Sequence, residues 1–464
     1  MNQLQHDLQA EQIFTNKHHA LLSPISHLPP EILSKIFILC LPSDRPPKVA
    51  LYPRAWLLLG QICGYWRDVA LSTPRLWTSL HLTLWAGSDE FDLEMVNAWL
   101  ARSTPCPLTL TLSVNSSESA ESIQAGIDVL MQHSNRWEDV TLDLGPYSFR
   151  TLSAIRNSLS CLKTLSVDIP WPSQYLPTFD AFEFAPQLRS LETGCYFSPS
   201  MLKIPWAQLT NCVFNFSTVQ ECLEAFHQTA HLLTCKVIIP EHVVESSSQW
   251  PHVYLDQLTS MTVILQEDAT IFFDHLTLPA LQNLYYFNGS GPSFRRLNSL
   301  LARSACALRT LVLGSTLETR VPEDEFLELL RIVPSLVELS LQCGISTRGC
   351  VELTDRRSEN ALASCLVERL EILRICRPFG FDDQAFADMI QSRWRMDKAS
   401  RRSEYVGDQE WGAVGLAAVE IRVRTIRMIP GYTIDPIALS RFREFRDEGL
   451  DIYGLVDDNE KFEL

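Results

Sequence analysis

Residue types able to do chemistry are present in this chain, but their spacing commits few of them to it. His227 and His231 stand four apart, which on a helix puts two imidazoles where a metal could bridge them. No third ligand lies nearby in sequence and there is no HExxH pattern, so the pair reads as a solvated surface and no metal is assigned. The thirteen cysteines are scattered and include no Cys-x-x-Cys pair. That spacing fits neither a zinc knuckle nor a thioredoxin-like dithiol; it fits reduced thiols acting as small apolar side chains. The run RWRMDKASRR at 393–402 is basic and holds a tryptophan. It could touch an acidic substrate or nucleic acid, while the plainer reading is a solvated loop or helix face. GSG at 289–291 is a turn signal. No nucleophile elbow, phosphate loop, dinucleotide fingerprint or catalytic carboxylate pair is visible. The expectation is therefore a protein that is not an enzyme and uses no cofactor, with a cryptic enzyme as the weakest alternative.

The chain has 464 residues, of which 46% are apolar and 20% charged, so it can bury a continuous core. That length calls for several domains or a repeat array that grows in one dimension. The net charge of −16 disfavours phosphate backbones and anionic lipid, so neither nucleic acid nor a membrane is an expected partner. The start, MNQLQHDLQAEQ, is polar, and no apolar run approaches the ~20 residues of a membrane span. A cytosolic or nuclear location is expected. The sequons at Asn115, Asn215 and Asn288 then carry no meaning.

Residues 2–22 read as a polar helical arm, with Leu4, Leu8 and Ile13 loosely spaced. In the next helix Pro29 and Pro30 suit a first turn, and Glu31 places a negative charge at the positive end of the dipole. Ile32, Leu33, Ile36, Phe37 and Cys40 then form one broad apolar stripe. The insert Ser43–Pro53 holds three prolines and reads as a loop. A second helix is expected from about Arg54 to Ala70, with Trp56, Leu59, Ile62, Cys63, Trp66 and Val69 near one face. A short turn, Pro74–Trp77, follows.

From about residue 108 the pattern changes. Leu-x-x-Leu-x-Leu runs recur, with fourth-position leucines at 165, 191, 284, 311, 339 and 373, in steps of 26, 93, 27, 28 and 34 residues. Weaker candidates at Val213, Val237 and Val263 divide the long gap, and Leu142 extends the series upstream. One short strand per 21–34 residues is the pattern of a solenoid, in which no unit buries its apolar edge alone. The run EDEFLELLRIVPSLVELSL reads as helix, tight turn, strand. Strands would line a concave face and helices the convex back.

The blocks Leu28-Pro29-Pro30-Glu31-Ile32-Leu33, Ile36-Phe37, Ile62-Cys63, Trp66-Arg67-Asp68-Val69-Ala70 and Pro74-Arg75-Leu76-Trp77 together resemble an F-box. The wording is similar to the F-box-like group expanded in mushroom-forming fungi, whose chains continue into leucine-rich repeats and close on a stretch like FREFRDEGLDI (442–452). The insert at Ser43–Pro53 and the pair Gly64-Tyr65, where basic residues are common, depart from that pattern. The asparagine usual at the ninth repeat position is replaced by Tyr196, Gly289, Thr316, Gly344 and Pro378, which predicts an irregular solenoid.

The resulting expectation is an α+β multi-domain chain: a helical arm (1–23), an all-α F-box (24–82), an irregular α/β leucine-rich-repeat solenoid (83–440) and a C-terminal helix with a frayed tail (441–464). The resemblance implies a substrate receptor of a Skp–cullin–F-box ubiquitin ligase. The adaptor contacts would be Leu28, Pro29, Ile32, Leu33, Ile36, Phe37, Ile62, Cys63, Trp66, Pro74, Leu76 and Trp77, and the adaptor would bring the cullin. An unidentified protein substrate would meet the outward strand positions, chiefly Tyr285 and Phe287 with Glu338, Gln342 and Arg374. Packing under a long loop is an equal reading for the two aromatics. The alternative function is a repeat scaffold with no ligase role.

Overall fold

A computed structural model describes residues 25, 28–41, 55–85, 93–115, 121–168, 178–194, 198–239, 250–265, 267–289, 294–315, 322–342, 346–354, 366–376, 382–403, 418–423, 435–456 and 460–462. The expected arm, the insert Ser43–Pro53, and Tyr196, Thr316, Gly344 and Pro378 lie outside them. Two compact units are present: Met1–Leu188 with Leu202–Pro205, and Arg189–Met201 with Trp206–Leu464.

The first unit opens with helix α1 (Pro30–Leu39), which begins on a proline and carries Glu31 in its first turn. The single helix expected over 54–70 is two, α2 (Ala55–Ile62) and α3 (Gly64–Leu71). Cys63 separates them in an extended conformation, and its Sγ accepts the Trp66 backbone N–H at 3.4 Å, capping α3. The turn Pro74–Trp77 then feeds strand β1 (Ser79–Trp85), so the segment expected to be all-helical ends in a strand.

After strand β1 come helix α4 (Leu93–Arg102), β2 (Leu108–Asn115), helix α5 (Glu121–Met131), β3 (Trp137–Asp143), the short helix α6 (Pro146–Thr151) and β4 (Thr164–Asp168). The four strands pair in parallel and in chain order. Two inward rows result, Leu80–Leu110–Val140–Leu165 and Leu82–Leu112–Leu142–Val167, all buried. Leu142 is thus in register with Val167, and Val140 is the partner of Leu165.

In the second unit strands β5 (Ser190–Thr193), β6 (Asn211–Asn215), β7 (Thr234–Ile239), β8 (Val253–Tyr254), β9 (Ser260–Leu265), β10 (Leu276–Thr277) and β11 (Asn283–Asn288) are followed by β12 (Thr310–Ser315), β13 (Glu338–Leu341), β14 (Ile372–Cys376), β15 (Ala418–Val423), β16 (Asp451–Val456) and β17 (Glu460–Phe462). Apart from the small β8–β10 pair and the antiparallel β17, each strand pairs in parallel with the next. Helices α7 (Val219–Gln228), α8 (Arg295–Ser304), α9 (Glu323–Ile332), α10 (Thr347–Leu353), α11 (Asp383–Ser403) and α12 (Pro436–Asp447) intervene.

The inward row reads Leu191–Cys212–Cys235–Met261–Leu284–Leu311–Leu339–Leu373, and the strand register continues through Val419 to the buried Ile452. The expected rung positions in the long gap are therefore displaced. Val237 and Val263 lie two residues further along their strands, and Val213 points to the other side. The row demands an apolar side chain small enough to be sealed, and Cys212, Cys235 and Met261 meet that demand. Burial pushes the Cys212 thiol up to about 12 and that of Cys235 well above its ordinary value, consistent with uncharged hydrophobes. The expected C-terminal helix is α12; the chain then turns at Gly449 (φ +103) and adds β16 as a further parallel strand, and within the tail expected to be frayed Glu460–Phe462 form β17.

Three arginines link segments 26 to 40 residues apart in the chain. Arg136 donates to the carbonyls of Cys106 and Leu100, and Arg303 to those of Phe273 and Leu276. Arg393 donates to Leu353, Val367 and Leu366. Each guanidinium donates to two or three backbone carbonyls of an earlier segment of the chain.

Candidate docking surfaces

Helix α1 has two apolar faces. Leu33 and Phe37, four apart, are completely buried. The Phe37 ring meets that of Trp66 on α3 at 5.0 Å between centroids. Ser34 accepts a hydrogen bond from the Thr73 hydroxyl at 3.1 Å, and the Tyr65 hydroxyl donates to the Leu28 carbonyl at 2.7 Å. These contacts hold α1 against α3 and the following turn. The adjacent face carries Ile32, Ile36 and Leu39 at i, i+4 and i+7. Ile32 is 43% and Leu39 84% exposed, with Ile36 half-buried.

Helix α2 adds Leu58 and Ile62, four apart and 58% and 60% exposed. With Ile25 and Leu71, six of the twelve exposed large apolar side chains among the described residues fall within residues 25–71. That concentration, in a small part of the chain, is what distinguishes a docking stripe from scattered surface leucines.

The expected adaptor contacts therefore divide. Pro29, Ile32, Ile62 and Cys63 are exposed, and Leu28, Ile36, Trp66 and Pro74 half-buried. Leu33, Phe37, Leu76 and Trp77 are sealed inside the unit and support the stripe from beneath. Trp77 donates from Nε1 to the Ala70 carbonyl at 2.9 Å and meets Trp99 edge-on at 4.8 Å, with the Arg102 guanidinium 4.7 Å above its ring. Its chemistry is spent within the chain. Leu39 and Leu58 were not among the expected contacts. The helical spacing from Ile32 and from Ile62 would have found them.

The five expected substrate residues lie on β11 (Tyr285, Phe287), β13 (Glu338, with Gln342 just past its end) and β14 (Arg374), and β12 runs between the first two strands. Tyr285 and Phe287 alternate with the buried Leu284 and Tyr286 and are half-buried. Phe287 lies in register with Gly314 on β12, and its ring occupies the place a Cβ on Gly314 would take. Gln342 Oε1 is 3.1 Å from that same point. Glu338 and Arg374 form an ion pair across β13 and β14. The result is a strip in which aromatic surface lies beside a locally neutralised charge pair.

The remaining polar candidates separate from one another. Helix α7 ends at Gln228, so His231 lies beyond it, where its Nδ1 meets Gln257 Nε2 at 3.3 Å. Among the described residues no group of three or more His, Cys, Asp or Glu is placed to hold a metal. The basic run 393–402 lies on α11, but Arg393 and Trp394 are buried there, so its start is packing and not a solvated face. No helix among the described residues is long and apolar enough to cross a membrane.

Residues 25–83 match the F-box-like family. No curated protein matches the chain. Among solved structures, the crystal structure of a Bacteroides fragilis protein is similar over 60% of this chain and 82% of that one, at 12% identity and a TM-score of 0.31. A likeness that weak carries no argument.

Proposed function

We propose that this chain recruits substrates to a Skp–cullin–F-box ubiquitin ligase. Residues 25–83 would dock on a Skp-family adaptor, and the strand faces of the following region would hold a protein substrate. One observation carries the reading: the segment that matches the F-box-like family is also where exposed large apolar side chains concentrate. Each such side chain contributes about 1.5–3 kcal/mol when fully covered, before association costs. The cullin would be reached through the adaptor. On this reading the chain does no chemistry of its own, acts in the cytosol or nucleus, and resembles the leucine-rich-repeat F-box proteins of mushroom-forming fungi. The inward rows of apolar residues support a leucine-rich-repeat-like solenoid.

Co-purification tests it. Wild type should retain a Skp-family adaptor, and Ile32→Asp with Leu39→Asp should lose it while the circular-dichroism melting curve stays in place. A wild type that binds no such adaptor, or a double variant that binds as before, would reject the docking face. A protein that binds other partners through its repeats without any adaptor would instead be the scaffold of the alternative reading.

A further inference from the structure

Among the described residues, strands β8 and β10 form a small sheet that stands apart from the main one. β8 packs on helix α7 and β10 on helix α8. Val253 and Leu276 are partners across the pair, and both are buried. The alternate positions face outward. Tyr254 stands beside Thr277, and one step earlier the same register sets His252 beside His275. His252 Nε2 and the Thr277 hydroxyl share a hydrogen bond of 2.9 Å, and the His275 ring meets that of Trp250 at 5.5 Å. Arg303 of α8 joins the group, its Nε and Nη2 donating to the carbonyls of Phe273 and Leu276 that flank His275. Tyr254 is 63% exposed, and no hydrogen bond among the described residues engages its hydroxyl or Nη1 of Arg303.

This ledge is basic in a chain of net charge −16. Burial first, then Arg303 and His275, lowers His252. Burial and Arg303 also lower His275, against a hydrogen bond with the Trp250 backbone that raises it. No carboxylate is among the charges that shift either imidazole. Asp274, the nearest in sequence, pairs with Arg296, and Asp256 lies past Tyr254 in the bend that leads to β9. The packed helices bring Glu221, Glu224 and His227 from α7 and Arg295 from α8. Glu224 accepts from Gln220, and Arg295 pairs with Glu325. One guanidinium and two imidazoles therefore stand beside two aromatic rings with no anion to match them. Tyr, Trp and Arg are also the side chains that dominate interface energetics.

We infer that the β8–β10 ledge docks an acidic, extended peptide segment of a partner protein. Its carboxylates would meet Nη1 of Arg303 and the two imidazoles, whose charge-assisted bonds are the strong ones. Tyr254 would cover its apolar stems. β8 and β10 each pair with no other described strand, which leaves a strand edge for an extended chain. The inference depends neither on adaptor docking nor on the strip at Tyr285 and Phe287.

Fluorescence anisotropy with the full chain tests it. The probe is a labelled ten-residue serine-rich peptide with a Glu-Leu-Glu core, and comparison peptides carry Gln-Leu-Gln or Arg-Leu-Arg. The acidic peptide should bind most tightly. Diffuse attraction cannot produce that order, because an acidic chain repels this peptide and draws the arginine one. Carboxylates placed on the imidazoles hold their protons, so affinity should rise about tenfold from pH 7.5 to 6.0. His252→Gln with His275→Gln should remove most of that rise. Tyr254→Ser should weaken binding about threefold at either pH. Both variants should melt near wild type at pH 7.5. His81→Gln with His133→Gln, an equal loss of imidazoles in the first unit, should leave the affinity and its rise unchanged. Absent binding, equal affinity for the three peptides or tightest binding of the arginine peptide would overturn the inference. So would equal effects of the two histidine pairs, or binding that a metal chelator abolishes.

Discussion

Phe37 and Trp66 meet at 5.0 Å with their rings tilted by 56°, and that contact joins the helix bearing the exposed stripe to the helix behind it. Phe37 is completely buried while Ile32, five residues earlier on the same helix, is 43% exposed. The two residues should therefore fail differently. Phe37→Ala leaves a cavity and should cost about 3–5 kcal/mol in chemical denaturation. Ile32→Ala should cost under about 1 kcal/mol of stability and show its effect in adaptor binding. Equal stability losses would contradict the division of the helix into two faces.

Gly314 and Phe287 form a second dependent pair. A methyl group on Gly314 would occupy space taken by the Phe287 ring, so the ring must swing away. Gly314→Ala should destabilise by about 1–2 kcal/mol. In a Phe287→Ala background the same change should cost much less, giving a clear coupling in a double-mutant cycle. Additive losses would show that the ring does not lie across this strand.

Arg393 is buried and donates to three backbone carbonyls, at 2.7 Å to Leu353, 3.2 Å to Val367 and 2.6 Å to Leu366. Arg393→Ala removes a buried guanidinium and its three hydrogen bonds to backbone carbonyls, at a cost of about 3 kcal/mol or more in urea denaturation. Arg393→Lys should recover only part, because an ammonium lacks the planar fork that spans several acceptors. Full recovery by lysine would assign the residue to charge and not to geometry.

Stability should fall on mild acidification. Burial holds His81, His133, His252 and His275 below their ordinary value of 6.5. The folded chain then binds fewer protons than the unfolded chain just below that pH. Stability is therefore full above about 6.5 and declines as pH drops through the unfolded value toward the folded ones. Melting temperatures between pH 7.5 and 5.5 check this, and His275→Gln should flatten the slope. A melting temperature rising over that interval would contradict the sign.

Local pattern in the chain settled what depends only on neighbours in sequence. The stripe of α1, the helix–turn–strand unit around 323–341 and the leucine rungs at 284, 311, 339 and 373 were all legible, because helical and strand periodicities repeat within one element. Register and sidedness of burial were not. Cys212, Cys235 and Met261 hold the leucine row although no leucine marks it, since a parallel neighbour selects any apolar side chain that can be sealed. The strand after α12, DIYGLV, carries no Leu-x-x-Leu-x-Leu spacing, so it did not stand out as a rung. Which half of the F-box-like stripe is covered was decided by Trp66 and the turn at Thr73, whose contacts cross about 30–40 residues of chain. Periodicity states which side chains share a face; only packing states which of those faces another part of the same chain has already taken.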